Sequence, residues 1–278
     1  MPCTAFLFFA RPRRGASPAG GWVRNNIWED ENMTPEELQT AANNGDIEAM
    51  ISLGEQSLDG RTINSYKTAV DWFAMAAQKG SAYAALKASA ISADISETYM
   101  SNAMCGQEAF TFWQKTTMYA LDAMKDPSDP DFQDNSGLVM KLLEKGFLGM
   151  AFLQYANRQV EQALNTLKSI DPPTTSQLVN AAKLLKAVCM VDVTGDSAIN
   201  EIISAFNSVF TDTEYVDRIS DASVLEQLIF AFAAKIYAVM LREGLGTVAN
   251  PQLADAVLNY AYNALSEDVA KQGLRPQG

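Results

Sequence analysis

Residues 45–80 read GDIEAMISLGEQSLDGRTINSYKTAVDWFAMAAQKG. Small residues (Ala49, Gly54, Ala69, Ala76, Ala77) recur at helical spacing, and glycines punctuate the stretch at Gly45, Gly60 and Gly80. Small side chains let two helices approach closely, and glycine closes the turn between them. The stretch therefore predicts a helix over residues 47–59 and a second over 65–79. Leu53, Ala69, Phe73 and Ala76 should be buried between them. Residues 233–265 repeat the plan with Ala233, Ala238, Gly244, Gly246, Ala256, Tyr260 and Ala264. In both stretches alanine is followed by glycine eleven positions on, Ala49 by Gly60 and Ala233 by Gly244. A hairpin of this size cannot bury its own apolar face and has to stack on neighbours.

Composition agrees with helices. The chain has 278 residues, 48% of them hydrophobic, and few alternating runs of β-branched residues. The formal net charge is −12. Such acidity argues against non-specific nucleic-acid binding and against docking on anionic membranes, both of which need basic patches. There is no histidine, which removes the commonest general base and zinc ligand. Cys3, Cys105 and Cys189 are far apart, as expected of free thiols in a reducing, cytoplasmic setting.

Residues 1–32 differ from the rest. They carry Arg11, Arg13, Arg14 and Arg24 against Glu29, Asp30 and Glu31, so the negative charge belongs to residues 33–278. The run Ala5–Ala10 is apolar, but its arginines come after it, which is the wrong order for a signal peptide. The segment is expected to be a disordered or artefactual extension. Thr34-Pro35-Glu36-Glu37 then signals a capped helix start.

The remainder, 33–272, reads as one helical-repeat domain of about six antiparallel pairs, with a frayed tail over 273–278. Further helices are expected over 36–43, 82–94, 96–125, 138–155, 159–169, 176–191, 199–210, 224–242 and 251–265. Cys105-Gly106 could break the third of these. The prolines in Asp126–Asp131 should stop it, and a loop is expected near 211–217.

The first hairpin resembles the Sel-1-like repeat, a relative of the tetratricopeptide repeat. Ala49, Leu53-Gly54, Gly60, Ile63, Ala69, Trp72-Phe73, Ala76-Ala77 and Gly80 fall in its register. Thr62 stands where the family has a second glycine, the loop is one residue short, and Ser57 replaces a frequent tyrosine. The C-terminal stretch keeps Gly244-Leu245-Gly246, with Tyr237-Ala238 for Leu-Gly and Asn259 for tryptophan. Clear matches cover about a quarter of the chain. The resemblance implies an all-α, right-handed α/α solenoid of the tetratricopeptide/Sel-1-like kind, a superhelix whose concave face holds a protein or peptide. Some secreted relatives staple each hairpin with a disulfide, and this chain lacks those cysteines.

Local chemistry is sparse. Asp126, Asp129, Asp131 and Asp134 crowd one loop, but their spacing lacks the glycine and closing glutamate of a calcium loop, and a solvated turn is the simpler reading. Gly244-Leu245-Gly246 lacks the third glycine of a dinucleotide loop and reads better as an inter-helix turn. Trp72, Phe73, Phe110, Phe112, Trp113 and Tyr119 could form a stacking platform, though helical spacing favours core. Cys105 and Cys189 lie in apolar helices, which suits inert buried thiols. No catalytic residue, cofactor or metal is expected. Helical phase points to Glu48, Ser52, Glu55 and Gln56, and to Lys235, Val239 and Arg242, as partner-binding positions on a non-catalytic scaffold or adaptor. A structural subunit of a larger assembly and a histidine-free hydrolase remain alternatives.

Overall fold

The computed structural model describes residues 33–101, 106–267 and 269. Among them are twelve α-helices and no strand, so the chain is all-α. The expectations for residues 1–32, for Cys105 and for the 273–278 tail lie outside the described residues. The chain divides into two compact units, Met1–Leu143 and Glu144–Gly278.

The first unit contains α1 (Pro35–Asn43), α2 (Ile47–Leu58), α3 (Ile63–Gln78), α4 (Ala82–Met100), α5 (Gly106–Ala123) and the start of α6 (Pro130–Ala156). The capping box at the start of α1 is complete: Thr34 Oγ1 accepts from Glu37 N, and Glu37 Oε2 accepts from Thr34 N at 2.8 Å. The next joints are short. Gly45 (φ +96°) ends α1, and Asp46 at once caps α2 by accepting from Ala49 N. Gly80 (φ +102°) ends α3, and Ser81 caps α4 by accepting from Ala84 N. Each pairs a left-handed closing residue with an N-cap, and the two joints lie 35 residues apart.

The turn between α2 and α3 is built differently. Gly60 is needed for closeness, because a Cβ there would lie 2.8 Å from Ser65 Cβ. The left-handed residue is Arg61 (φ +48°). Thr62 is the N-cap of α3, in a reciprocal capping box with Ser65. A glycine in its place would lose that cap.

Ala69, Phe73 and Ala76 are fully buried, as their spacing predicts. Leu53 is instead half-buried against the same cluster, and Gly54, one residue on, takes the crossing point under Phe73. Trp113 and Phe112 are buried too, and Trp113 Nε1 donates to Met100 Sδ at 3.2 Å. The aromatic run of α5 is therefore mainly core. Serines bring α4 and α5 together: Ser89 Oγ donates to the Thr116 carbonyl at 2.7 Å and Ser96 Oγ to that of Ala109 at 3.2 Å.

Several expected boundaries move. The helices expected over 82–94 and 96–125 regroup as α4, which runs on to Met100, and α5, which starts at Gly106. Pro130 does not merely stop a helix; it opens α6, eight residues before the expected start at 138. Proline is pre-set for a first helical turn, and Asp129 Oδ1 accepts from Asp131 N at 2.8 Å. Asp126 accepts from both Ser128 N and Oγ, and those bonds hold its carboxyl below the usual range.

The second unit contains the rest of α6, then α7 (Val160–Leu167) with a 3-10 turn (Lys168–Ile170), α8 (Ser176–Val193), α9 (Ile199–Phe210), α10 (Thr213–Arg218), α11 (Val224–Glu243) and α12 (Pro251–Ala264). The loop expected over 211–217 is replaced by α10, which Asp212 caps by accepting from Tyr215 N. Helix α11 is the hub. It packs on α8 and α12, and Phe230 and Tyr237 meet Phe206 and Phe210 of α9 with ring centroids 4.9–5.6 Å apart. By length and hydropathy α11 could cross a membrane, but 67% of its apolar window is buried, as in a core helix. Gln227 in its first turns is buried and fully used: Nε2 donates to the Ser220 and Ala222 carbonyls, and Oε1 accepts from Ser266 N and Oγ.

The end of α6 offers a simple test. Gln159 N donates to the Gln154 carbonyl and Arg158 N to that of Tyr155, which is a helix-ending motif with its left-handed residue at Arg158 (φ +64°). A left-handed non-glycine residue costs about 1–2 kcal/mol, more than the roughly 0.5–1 kcal/mol of extra chain entropy a glycine brings. Arg158→Gly is therefore expected to stabilise by up to about 1 kcal/mol, read as a raised denaturation midpoint.

Candidate binding groove

The positions expected to bind a partner fall into two sets, one in each unit. On α2, Glu48, Ser52, Glu55 and Gln56 follow one helical face. Glu48 and Ser52 are half-buried, while Glu55 and Gln56 are exposed. Glu55 has a structural duty as well, since its Oε1 accepts from Tyr83 Oη at 2.9 Å. On α11, Val239 is 53% exposed and Lys235 half-buried, its ammonium pushed down in pKa by burial. Arg242 is exposed and ion-paired with Asp255 of α12 at 2.6 Å. Gly244-Leu245-Gly246 is the turn between α11 and α12. It lies against α9 so closely that a Cβ on Gly246 would come within 2.3 Å of Ile199 Cγ1.

Sequence reading missed the clearest concavity. It lies in the second unit, between α8, α9 and the loop after the 3-10 turn, with a volume of about 460 Å³. On α8, Val179, Ala182, Lys183, Lys186, Ala187 and Met190 recur at steps of three and four and form one lining stripe. Small residues on α9, Ser204 and Ala205, leave the opposite side open. Pro172 and Pro173 form the end wall. A second cavity of about 440 Å³ adjoins it and shares Leu167, Asp171 and Lys186. The Asp171–Lys186 ion pair, 2.6 Å long, stands where the two meet.

Glu144 holds that wall in place. Its Oε1 accepts from Thr174 N at 2.7 Å and from Thr174 Oγ1, and its Oε2 accepts from Thr175 N at 3.0 Å. The residue is only 3% exposed. Burial alone would raise its pKa, but the bonds from Thr174 and Thr175 together carry it below the usual carboxylate value.

Among the described residues, no three His, Cys, Asp or Glu side chains gather closely enough to hold a metal ion. Cys189 is fully buried on α8, and burial, then Asp192, push its thiol up to about 12. A thiolate is the reactive form, so Cys189 is expected to resist a water-soluble disulfide reagent in the native protein. It should react only when denaturant is added, as followed by mass spectrometry. Tyr155 is likewise pushed up to about 12 by burial and by Asp192. Compared with known proteins, the chain matches no protein-family model and no curated protein sequence.

Proposed function

We propose that this protein is a non-catalytic helical-repeat scaffold that binds a protein or peptide partner. The observation that carries this reading is the repeated joint, Gly45-Asp46 and Gly80-Ser81, that stacks helices in series through the first unit. Serial stacking builds a large surface from short-range contacts, and repeat proteins of the tetratricopeptide and Sel-1-like kinds use such surfaces for binding. The resemblance of residues 41–80 to that repeat, and a solenoid arrangement, belong to the same proposal.

The test uses proximity labelling by the full chain in its native host. Gln56→Lys alters the exposed face of α2 without touching Glu55 and its bond to Tyr83. Val239→Glu does the same on α11. Exposed changes of this kind cost within about 0.5 kcal/mol. The expected result is that a defined set of neighbours is lost with one of these variants while the melting temperature holds. Unchanged labelling by both variants, or turnover in a broad hydrolase screen, would overturn the reading.

A further inference from the structure

Beyond that reading, we propose that the α8–α9 groove of the second unit is a binding site for a small amphipathic monocarboxylate, an aliphatic chain of about eight carbons with one carboxylate. Its volume, about 460 Å³, lies in the range of small-molecule sites. Val179, Ala182, Met190, Ile202 and Ala205 offer an apolar bed to an alkyl chain. The charges supply the other half of the argument. Lys186 is neutralised by Asp171. Lys183 is not: its Nζ donates to Ser208 Oγ and meets no carboxylate among the described residues.

Of the two lysines that line the groove, Lys183 is thus the one with no carboxylate at its ammonium. It lines the groove beside the apolar bed. An ammonium has three donor positions, so Lys183 can keep Ser208 and still take a carboxylate oxygen. Glu201 also lines the groove, and its charge disfavours a dianion. The class that suits bed and cation while bringing no second negative charge toward Glu201 is a monoanion with an apolar tail. The wall of Pro172 and Pro173 is pre-formed, because Glu144 fixes Thr174 and Thr175 directly after it. Less ordering is then left for the ligand to impose.

Sodium octanoate is the probe, titrated calorimetrically into the full chain, with octanol as the neutral comparison. One site is expected, with a Kd on the order of 100 µM. Lys183→Met should weaken octanoate about fivefold or more, and Ala205→Phe, which fills the groove, should abolish binding. Lys125→Met, which removes an exposed lysine paired with Asp122 in the first unit, should leave the affinity unchanged. If Ala205→Phe unfolds the protein, the exposed Lys183→Met variant decides alone. The proposal is overturned if octanoate shows no saturable binding up to about 5 mM. Equal affinity of Lys183→Met and parent, or of octanol and octanoate, would overturn it as well. None of these results bears on the α2 and α11 faces, whose variants are read separately.

Discussion

Phe73→Ala should lower the stability of the first unit by about 3–5 kcal/mol, the usual loss when a fully buried aromatic side chain is removed. Phe73 is 0% exposed, and the tip of its ring points at the backbone of α2. A Cβ on Gly54 would lie 2.9 Å from Phe73 Cζ and 3.0 Å from both Cε atoms. Two effects then compete in Gly54→Ala. Alanine gains about 1 kcal/mol over glycine inside a helix. Forcing a methyl into a packed crossing costs about 1–3 kcal/mol. Phe73 is fully buried in one cluster with Ala69, Val70 and Ala76, so the ring has little room to give and the clash should prevail. Gly54→Ala is expected to destabilise by about 1 kcal/mol in the parent and to stabilise in a Phe73→Leu background. A double-mutant cycle in urea reads that reversal. Additive effects would show that the ring and Gly54 are not coupled.

Glu144→Gln is the second large loss, about 2–4 kcal/mol at neutral pH. The amide keeps one acceptor oxygen but turns an NH₂ group toward a backbone N–H that needs an acceptor, Thr174 N or Thr175 N. The pH dependence comes from the lowered pKa. A carboxyl whose folded value lies below its unfolded one stabilises fully above the unfolded value, and that stability is lost as pH falls through the folded value. The gap in melting temperature between parent and Glu144→Gln should therefore be widest near neutrality and narrow below about pH 4. A gap that stays constant down to strong acid would show that the two threonines are held by something other than the charge.

The contrast between these two sites shows what a sequence can carry. Gly54 and Phe73 belong to one local hairpin, and their small–large pairing is written at helical spacing. The cap at Thr34 is equally local, beside the helix it starts. Glu144 and Thr174 lie thirty residues apart, and nothing near either one announces the other. The groove was hidden for the same reason, since its lining is gathered from α7, α8, α9 and the loop between the first two. Pro130 was misread because proline ends one helix and begins the next by the same geometry, and only the Asp129 cap decides which. Helix α10 escaped because six residues are too few for a periodic signal.

The short joints of the first unit, three residues each after α1 and after α3, also set the tempo of folding. There α1 packs on α2, α2 on α3, α3 on α4 and α4 on α5, each helix against the next along the chain. Closing such short loops costs little entropy, and chains rich in local pairings nucleate quickly. In the second unit α8 has to find α11, with α9 and α10 intervening. After dilution from denaturant, amides of α2 and α3 should gain protection in an earlier phase than those of α8 and α11, so the chain is expected to acquire its order from the N-terminal helices onward.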